Sequence, residues 1–386
     1  MIETAKAPAG SQALLDVFHQ IDIEPIRGEG VWIYDKAGRR YLDFYGGHAV
    51  ALLGYGHPRL VKVLDRQART LFFQSNLVDI EVRRRAAEAL VRFGPAGLTR
   101  VFFVNSGAEA NENALRIAFM ATKKRRVVCA EGAFHGRTAA AAAVTDEHTK
   151  WYAFPEKPFP VTVVPFDDIR ALEAAVDDET AAVILEPVQG IAGARPHSVE
   201  YMRAAREITK RKGAVLIADE VQCGMGRTGH PFAVQAYGIT PDILTTAKGL
   251  AGGFPVAAVV VGEDLAAVVR KGDLGTTFGG GPLACALVEE VIAIISEGDM
   301  LARVQRLSDR IKSECLVGPV KSIQGMGFLL GMRCATPAKQ VIVELRRRGI
   351  LAGGSHDPDV VRLLPPLTLE GEHVHRLRDA LKEISS

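Results

Sequence analysis

Short apolar runs recur through the middle of the chain, and each is followed by a turn and by a stretch with helical spacing. Runs of this kind are typical of strands that are buried on both faces. Their alternation with helices predicts an α/β fold with a mostly parallel sheet covered on both sides. The predicted strands are Arg100–Val104, Arg126–Ala130, Ala181–Leu185 and Ala214–Ala218, and the predicted helices among them include Ala108–Ala121 and Val199–Arg211.

The two ends of the chain have other patterns. Gly28–Phe44 alternates apolar and polar residues around a glycine-containing turn, which predicts a β-hairpin. Pro58–Thr70 has helical spacing with proline in its first turn. We expect a large domain over residues 46–281, a smaller α+β domain over residues 282–386, and an N-terminal segment, residues 1–45, that packs with the smaller domain. The elements predicted after Gly281 are helices over Leu283–Gly298 and on to Cys315, strands over Phe328–Arg333 and Val360–Leu364, and a C-terminal helix.

Composition excludes several classes of protein. The 386 residues carry a net charge of +2, which favours neither nucleic acid nor a membrane surface as a partner. Five cysteines without a CxxC pair argue against a disulfide framework or a zinc site. No secretory signal and no transmembrane run is visible. We therefore expect a cytoplasmic protein of the ordinary globular type, without a metal.

Side chains suited to ligand binding collect after the predicted strands, where ligands bind in doubly wound folds. Asn105–Ala108 opens a helix, so its N–H groups could bind a phosphate, although Ser106 could equally be a simple helix cap. Phe134 could stack on a flat ring or be an ordinary buried side chain. The loop Gly275–Gly281, which contains Thr277, could bind an anion or act as a flexible turn.

A carboxylate and an amine complete the set. Asp219 closes an apolar strand, where a carboxylate is costly unless it is paired with a protonated pyridine nitrogen, a helix start or a basic side chain. Lys248 is flanked by Ala247, Leu250 and several glycines. A lysine in such a pocket has a lowered pKa and can act as a nucleophile, whereas most lysines are solvated surface residues.

The order and spacing of these segments resemble the class III, ornithine-type aminotransferases. The likeness is carried by Asp219–Gly229 followed by Lys248, by Glu186–Gly190 and by Pro241–Leu244, and it extends from about Arg27 to the C-terminal helix. Within that family the chain is most similar to the enzymes acting on acetylornithine and their lysine-biosynthetic relatives. The resemblance implies fold type I, with a mostly parallel, seven-stranded-type sheet and a smaller α+β domain, and pyridoxal 5′-phosphate as cofactor.

Residue by residue, the resemblance implies a role for each position around the cofactor ring. Lys248 would bind the cofactor covalently and move the proton. Asp219 would pair with the pyridine nitrogen, Gln222 would lie near the ring hydroxyl, and Phe134 would stack on the ring.

The resemblance also implies the contacts to phosphate and substrate. The enzyme would be a homodimer with shared active sites, in which Thr277 reaches the partner's cofactor. Arg362 would bind a substrate carboxylate and Arg137 a second, distal one. The substrates would be an acylated diamino acid such as N-acetylornithine and the acceptor 2-oxoglutarate, in a ping-pong reaction. The phosphate would be bound at a helix start by Ser106, Gly107 and Ala108.

Three positions depart from the family pattern. Ile191 replaces a glutamate, Gly281 replaces an asparagine, and Phe18-His19 replaces a Tyr-Asn pair. The first and third concern the substrate side. They leave open other ω-amine donors, such as ornithine, 4-aminobutyrate or a lysine-pathway intermediate, and also aminomutase or decarboxylase chemistry.

Two rival classes receive less support. A nicotinamide-dependent dehydrogenase would need a G-x-G-x-x-G turn after the first strand, and Asn105–Ala110 lacks it. An inactive scaffold would have no reason to keep both Lys248 and Asp219.

Overall fold

The computed structural model describes residues 13–146 and 153–385. The strands, numbered in chain order, are β1 Pro25–Glu29, β2 Trp32–Asp35, β3 Arg40–Asp43, β4 Arg100–Val104, β5 Arg126–Ala130, β6 Val161–Val164, β7 Thr180–Leu185, β8 Val188–Gln189, β9 Arg195–Pro196, β10 Val215–Asp219, β11 Ile243–Thr246, β12 Ala257–Val261, β13 Val320–Met326, β14 Leu329–Cys334, β15 Ile350–Leu351 and β16 Val360–Leu363. The helices are Gly46–Ala49, Pro58–Thr70, Glu81–Phe93, Gly107–Thr122, Ala139–Ala143, Ile169–Ala175, Val199–Lys212, Ala233–Tyr237, Glu263–Ala266, Pro282–Ser296, Met300–Glu314, Ala338–Arg347 and Gly371–Lys382, with a 3₁₀ turn at Lys248–Ala251.

The central sheet has seven strands in the order β4-β12-β11-β10-β7-β5-β6. Every neighbouring pair is parallel except the two formed by β12, which runs antiparallel to β4 and β11. The prediction of an α/β fold with a mostly parallel sheet is confirmed. Because parallel strands end at the same edge, Asp219 at the end of β10 lies beside Thr245 of β11, with the end of β7 next to it.

Two apolar cores cover the faces of this sheet. Side chains of β10 alternate between them: Leu216 and Ala218 pack into the larger core, whereas Val215 and Ile217 pack into the smaller one. Burial on both faces explains why the central strands are unbroken apolar runs in the sequence. The five cysteines are free and buried. No helix in the described ranges has both the length and the apolar character needed to cross a membrane.

Most predicted elements are found within two residues of their expected ends, and Pro58–Thr70 is found unchanged. The apolar pattern does not predict β13, which lies at the edge of the three-stranded sheet β13-β14-β16. Lys321 and Ser322 are exposed there and interrupt the pattern. An edge strand has a solvated side, so its sequence is more polar than that of a central strand.

The predicted N-terminal hairpin is present and belongs to a four-stranded sheet, β1-β2-β3-β15. Its last member comes from the C-terminal part of the chain: β15 runs parallel to β3, with Ile350 opposite Leu42 and Leu351 opposite Asp43. This pairing joins the first described strands to the segment that leads toward Arg362.

A left-handed turn follows β3. The backbone φ angles of Gly46, Gly47, His48 and Ala49 are +55°, +54°, +66° and +67°. Non-glycine residues pay about 1–2 kcal/mol for this conformation, so the turn must be held in place. Asp43 holds it, because its Oδ1 accepts hydrogen bonds from the Tyr45 and Gly46 amides at 2.8 and 3.0 Å.

Candidate active site

A cavity of about 490 Å³ opens at the carboxyl edge of the central sheet. Two of the predicted site residues, Thr277 and Arg362, are not part of its lining. The residues that do line the cavity include Ile191 and Glu186. The structure therefore brings together eight predicted residues from four separate segments: Ser106, Gly107, Ala108, Phe134, Arg137, Asp219, Gln222 and Lys248.

One end of the cavity is formed by the start of helix Gly107–Thr122. The Ser106 hydroxyl caps this helix by accepting a hydrogen bond from the Glu109 amide at 3.2 Å. Within the described chain the amides of Gly107 and Ala108 donate to no acceptor, so they face the cavity as open N–H groups at the positive end of a helix. A Cβ atom on Gly107 would lie 2.8 Å from Val221 Cγ1, so this close approach requires glycine.

Asp219 is buried at the base of the cavity and is held by three donors. Its Oδ2 accepts from Asn111 Nδ2 at 2.7 Å and contacts His135 Nδ1 at 2.8 Å, and its Oδ1 accepts from the Val221 amide at 3.0 Å. Asn111 is fixed in turn by Thr245, whose hydroxyl donates to Asn111 Oδ1 at 2.7 Å. Such support fixes the orientation of the Asp219 carboxylate at the base of the cavity.

The sequence reasoning missed Asn111 and His135. Asn111 lies four positions after Gly107 on the same helix, so helical spacing places both on one face and could have pointed to it. His135 directly follows Phe134, but nothing in the sequence indicates that its ring turns toward Asp219 rather than toward solvent.

Lys248 is the first residue of the 3₁₀ turn that follows β11, and its φ angle is +48°. A lysine in this conformation is strained, which is common at functional positions held by their surroundings. Burial lowers the pKa of the Lys248 amine, and the nearby negative charges of Asp219 and Glu186 oppose that shift. The amine is therefore neutral, and so nucleophilic, more often than an exposed lysine.

Glu186 connects two loops at the cavity wall. Its Oε1 accepts from the Phe134 amide at 2.9 Å, and its Oε2 accepts from the Gly190 amide at 3.1 Å. Burial raises the pKa of this carboxyl to about 7. In the sequence, Glu186 stands out only as part of the motif that resembles the family. The sequence does not indicate that its carboxylate fixes the loop of Phe134, the residue expected to stack on the ring.

Arg362 lies in β16, behind Gln222, and only 4% of it is exposed. Its guanidinium donates to the Gly354 carbonyl at 2.6 Å, to the Gly190 carbonyl at 3.2 Å and to Gln222 Oε1 at 3.5 Å. No carboxylate of the described residues lies within salt-bridge distance of it. The guanidinium of Arg362 thus has hydrogen-bond acceptors, whereas its charge has no ionic partner among the described residues. Ile191 lines the cavity nearby and carries no charge.

His48 is a residue that sequence reasoning did not single out. It lies in the left-handed turn, with its ring 4.6 Å from the ring of Tyr45. Burial lowers the pKa of His48 to about 4, and the positive charges of Arg362, Lys248 and Arg137 act in the same direction. Its imidazole is neutral at pH 7 and adds no charge beside the basic groups.

Thr277 is exposed and does not reach the cavity of its own chain. Its loop is anchored on both sides: Asn105 Nδ2 donates to Thr276 Oγ1 at 3.3 Å, and Asn76 Nδ2 donates to the Gly279 carbonyl at 3.0 Å. Phe18, at a position that departs from the family pattern, is also exposed and does not line the cavity.

The cavity fits a flat, anionic cofactor beside an amine. Open amides at a helix start suit a phosphate, and a buried, well-supported carboxylate suits a protonated ring nitrogen. The fold and the cavity thus define an α/β enzyme with a reactive lysine. A profile of the family described as Aminotransferase class-III matches residues 17–384, and the chain belongs to that family. It is a pyridoxal-phosphate-dependent aminotransferase.

Individual relatives agree with the family assignment. The chain is 38% identical over 384 residues to the acetylornithine aminotransferase of Methanocaldococcus jannaschii, covering 96% of this chain and 95% of that protein. It is 44% identical over 365 residues to the acetylornithine aminotransferase of Streptomyces coelicolor, with 93% and 90% covered. The crystal structure of the ornithine aminotransferase from Toxoplasma gondii superposes with a TM-score of 0.91 at 29% identity, with 96% and 92% covered.

Proposed function

We propose that this enzyme transfers the terminal amino group of an acylated diamino acid, with N-acetylornithine as the first candidate, to 2-oxoglutarate in two half-reactions. The donor's terminal carbon becomes an aldehyde, and 2-oxoglutarate becomes glutamate. The names of the relatives support the donor class. The buried and free cysteines agree with a reducing, cytoplasmic location.

The observation that carries the proposal is the charge around Arg362. This guanidinium has no carboxylate partner among the described residues, and the lining residue Ile191 cannot supply one. Arg362 lies behind the cavity wall, and a second arginine, Arg137, lines the cavity itself. A donor with an extra ammonium group, such as ornithine, is repelled by these charges, whereas acetylation removes that ammonium and keeps the carboxylate.

Each of these side chains has a separate task in the proposed reaction. Lys248 Nζ takes a proton from the donor's amine-bearing carbon, and its lowered pKa makes the neutral, proton-accepting amine more available for this task. Asp219 keeps a positive charge on the ring nitrogen, with Asn111 and His135 fixing its orientation. When bound, the cofactor supplies the electron sink and holds the amino group between the half-reactions. Arg362 binds the carboxylate next to the reacting carbon of glutamate or 2-oxoglutarate.

Single-turnover rates with four donors test the proposal. N-acetylornithine and glutamate should convert the cofactor fastest, as followed by its absorbance, and ornithine and 4-aminobutyrate should be slow. Ile191→Glu should pair with Arg362 and weaken its contact with glutamate by about 1–3 kcal/mol, which lowers the rate with glutamate relative to that with 4-aminobutyrate about tenfold or more.

Ile191→Gln is the matched control, because it adds a polar side chain of similar size without a charge, and it should leave the ratio near the wild-type value. The proposal fails if 4-aminobutyrate reacts as fast as glutamate in the wild type, or if Ile191→Glu leaves the ratio unchanged. An aminomutase would instead return an isomer of the donor without converting 2-oxoglutarate to glutamate.

A further inference from the structure

A second cavity, of about 790 Å³, shares no lining residue with the first. It lies between the N-terminal sheet and the C-terminal helix Gly371–Lys382, and Trp32 of β2 forms one of its walls. Arg40 reaches it from β3, and Arg376 reaches it from the helix. The aminotransferase reaction gives none of these residues a task.

Both arginines converge on one aromatic ring. The guanidinium carbon of Arg40 lies 4.7 Å from the Trp32 ring centre, and that of Arg376 lies 5.1 Å from it. The ring of His373 meets the same tryptophan edge-on, at 5.9 Å. Stacking on tryptophan stabilises each cation, and sharing one ring places the two positive charges within about 10 Å of each other.

The acidic residues of this cavity are engaged elsewhere. Glu383 pairs with Arg348 at 3.2 Å, and Asp379 pairs with Arg378 at 2.9 Å. Glu372 points to solvent, 3.6 Å from His373. No described carboxylate lies within 4 Å of Arg40 or Arg376, so their charges are the uncompensated ones in the cavity.

We propose that this second cavity is a binding site for a small oxyanion, a phosphate or carboxylate group bound between Arg40 and Arg376 against the face of Trp32. A guanidinium presents a planar fork of N–H donors, which matches the paired oxygens of such groups. An anion between the two arginines also relieves their repulsion.

Trp32 itself reports on occupancy. The sequence has two tryptophans, so Trp151→Phe leaves Trp32 as the sole emitter of tryptophan fluorescence. The dialysed holoenzyme of this variant is titrated with inorganic phosphate and, separately, with succinate, at constant ionic strength. We expect a saturable change in emission with at least one of them, and the tighter binder shows which oxyanion the site prefers.

Adding Arg40→Gln and Arg376→Gln should weaken that binding about tenfold or more, since two charge-assisted contacts are lost. The matched control is Arg170→Gln with Lys321→Gln, which removes the same charge from exposed positions outside the cavity and should leave binding unchanged. Arg40→Lys with Arg376→Lys keeps the charge without the fork and should bind with intermediate strength. The proposal is overturned if neither anion gives a saturable change, or if the binding midpoint is the same in the two glutamine pairs.

Discussion

Asp219 shows how a single side chain is prepared for its expected task. Its three donors, from Asn111, His135 and Val221, occupy one oxygen fully and leave the second partly available at the cavity wall. A carboxylate fixed in this way needs no reorientation when a cationic ring nitrogen is bound. Pre-positioned charge of this kind is usually a large contribution to enzyme catalysis.

Asp219→Asn should keep the fold and bind the cofactor, but it should lose several orders of magnitude in turnover. A neutral amide cannot hold a proton on the ring nitrogen, and each tenfold loss corresponds to about 1.4 kcal/mol in the barrier. Steady-state rates and cofactor content are measured together. Asn111→Ala serves as a comparison, because it removes a donor but keeps the charge and should cost much less. A near-wild-type rate for Asp219→Asn would show that another group protonates the ring.

Lys248→Ala should purify without covalently attached cofactor and should fail in multiple turnover. The open amides of Gly107 and Ala108 remain, so the variant should still bind the cofactor non-covalently through its phosphate. Mass spectrometry of the intact chain after borohydride reduction measures covalent attachment. Full activity of this variant would contradict the role given to Lys248.

The sequence reveals a functional residue when its type is unusual for its local surroundings. It does not reveal one whose type is common at such a position. An acid at the end of an apolar strand and a lysine among glycines stand out, so Asp219 and Lys248 could be selected. Asn111, His135 and Glu186 acquire their meaning only from the partners that the fold brings to them. Arg362 could be selected, but its carbonyl acceptors could not be foreseen.

At the scale of elements, the left-handed turn after β3 links the N-terminal sheet to the substrate side of the cavity. The Leu364 amide, two residues after Arg362, donates to the Phe44 carbonyl at 2.6 Å. A Cβ atom on Gly46 would lie 2.7 Å from the Leu364 carbonyl oxygen. The shape of this turn therefore sets how closely the end of β16 approaches.

Gly46→Ala should displace the end of β16 and raise the KM for 2-oxoglutarate more than it lowers kcat. Gly47→Ala is the matched control, because Gly47 has nearly the same φ but no atom within 4 Å of an added Cβ. Both changes carry a backbone cost of about 1–2 kcal/mol in unfolding free energy. Only Gly46→Ala should add the effect on KM. Equal KM values for the two variants would mean that contact with Leu364 is unimportant.

No local pattern predicts this turn. Two glycines can adopt positive φ, but His48 and Ala49 adopt it too, in a turn whose first amides are bound by Asp43. The sequence also does not indicate which distant strands pair with each other, and the β3–β15 pair is an example. The central strands could be predicted because a strand that is buried on both faces is apolar at every position, and such a run is visible in the sequence.

At the scale of the whole molecule, one apolar surface surrounds the loop of Thr277. Phe278 is 66% exposed, and its ring lies 5.5 Å from that of Phe73. Leu77 is 92% exposed and Phe72 is 69% exposed on the same anchored segment. Large exposed apolar side chains grouped around one loop are typical of an interface. We infer that a second copy of the chain covers it and that Thr277 reaches the partner's cofactor.

Mixing a Lys248→Ala protomer with a Thr277→Ala protomer tests this sharing. If Thr277 acts in the partner's site, one site of the heterodimer carries both lesions and the other carries neither. The heterodimer should then recover about half of the wild-type activity, whereas each homodimer stays impaired. Two separately damaged sites, with no recovery, would refute it. Light scattering of the wild type checks the dimer independently.

The pairing of β3 with β15 has a consequence for how the chain folds during its synthesis. Leu42 pairs with Trp32 of β2 on one side, but its partner on the other side is Ile350, and the Phe44 amide donates to the Leu351 carbonyl at 2.9 Å. At a translation rate of about 5–20 residues per second, the hairpin waits roughly 15–60 seconds for this partner. During that interval, side chains that are fully buried in the finished enzyme are open to water. We therefore expect the N-terminal hairpin to expose apolar surface on the nascent chain until β15 has been synthesised.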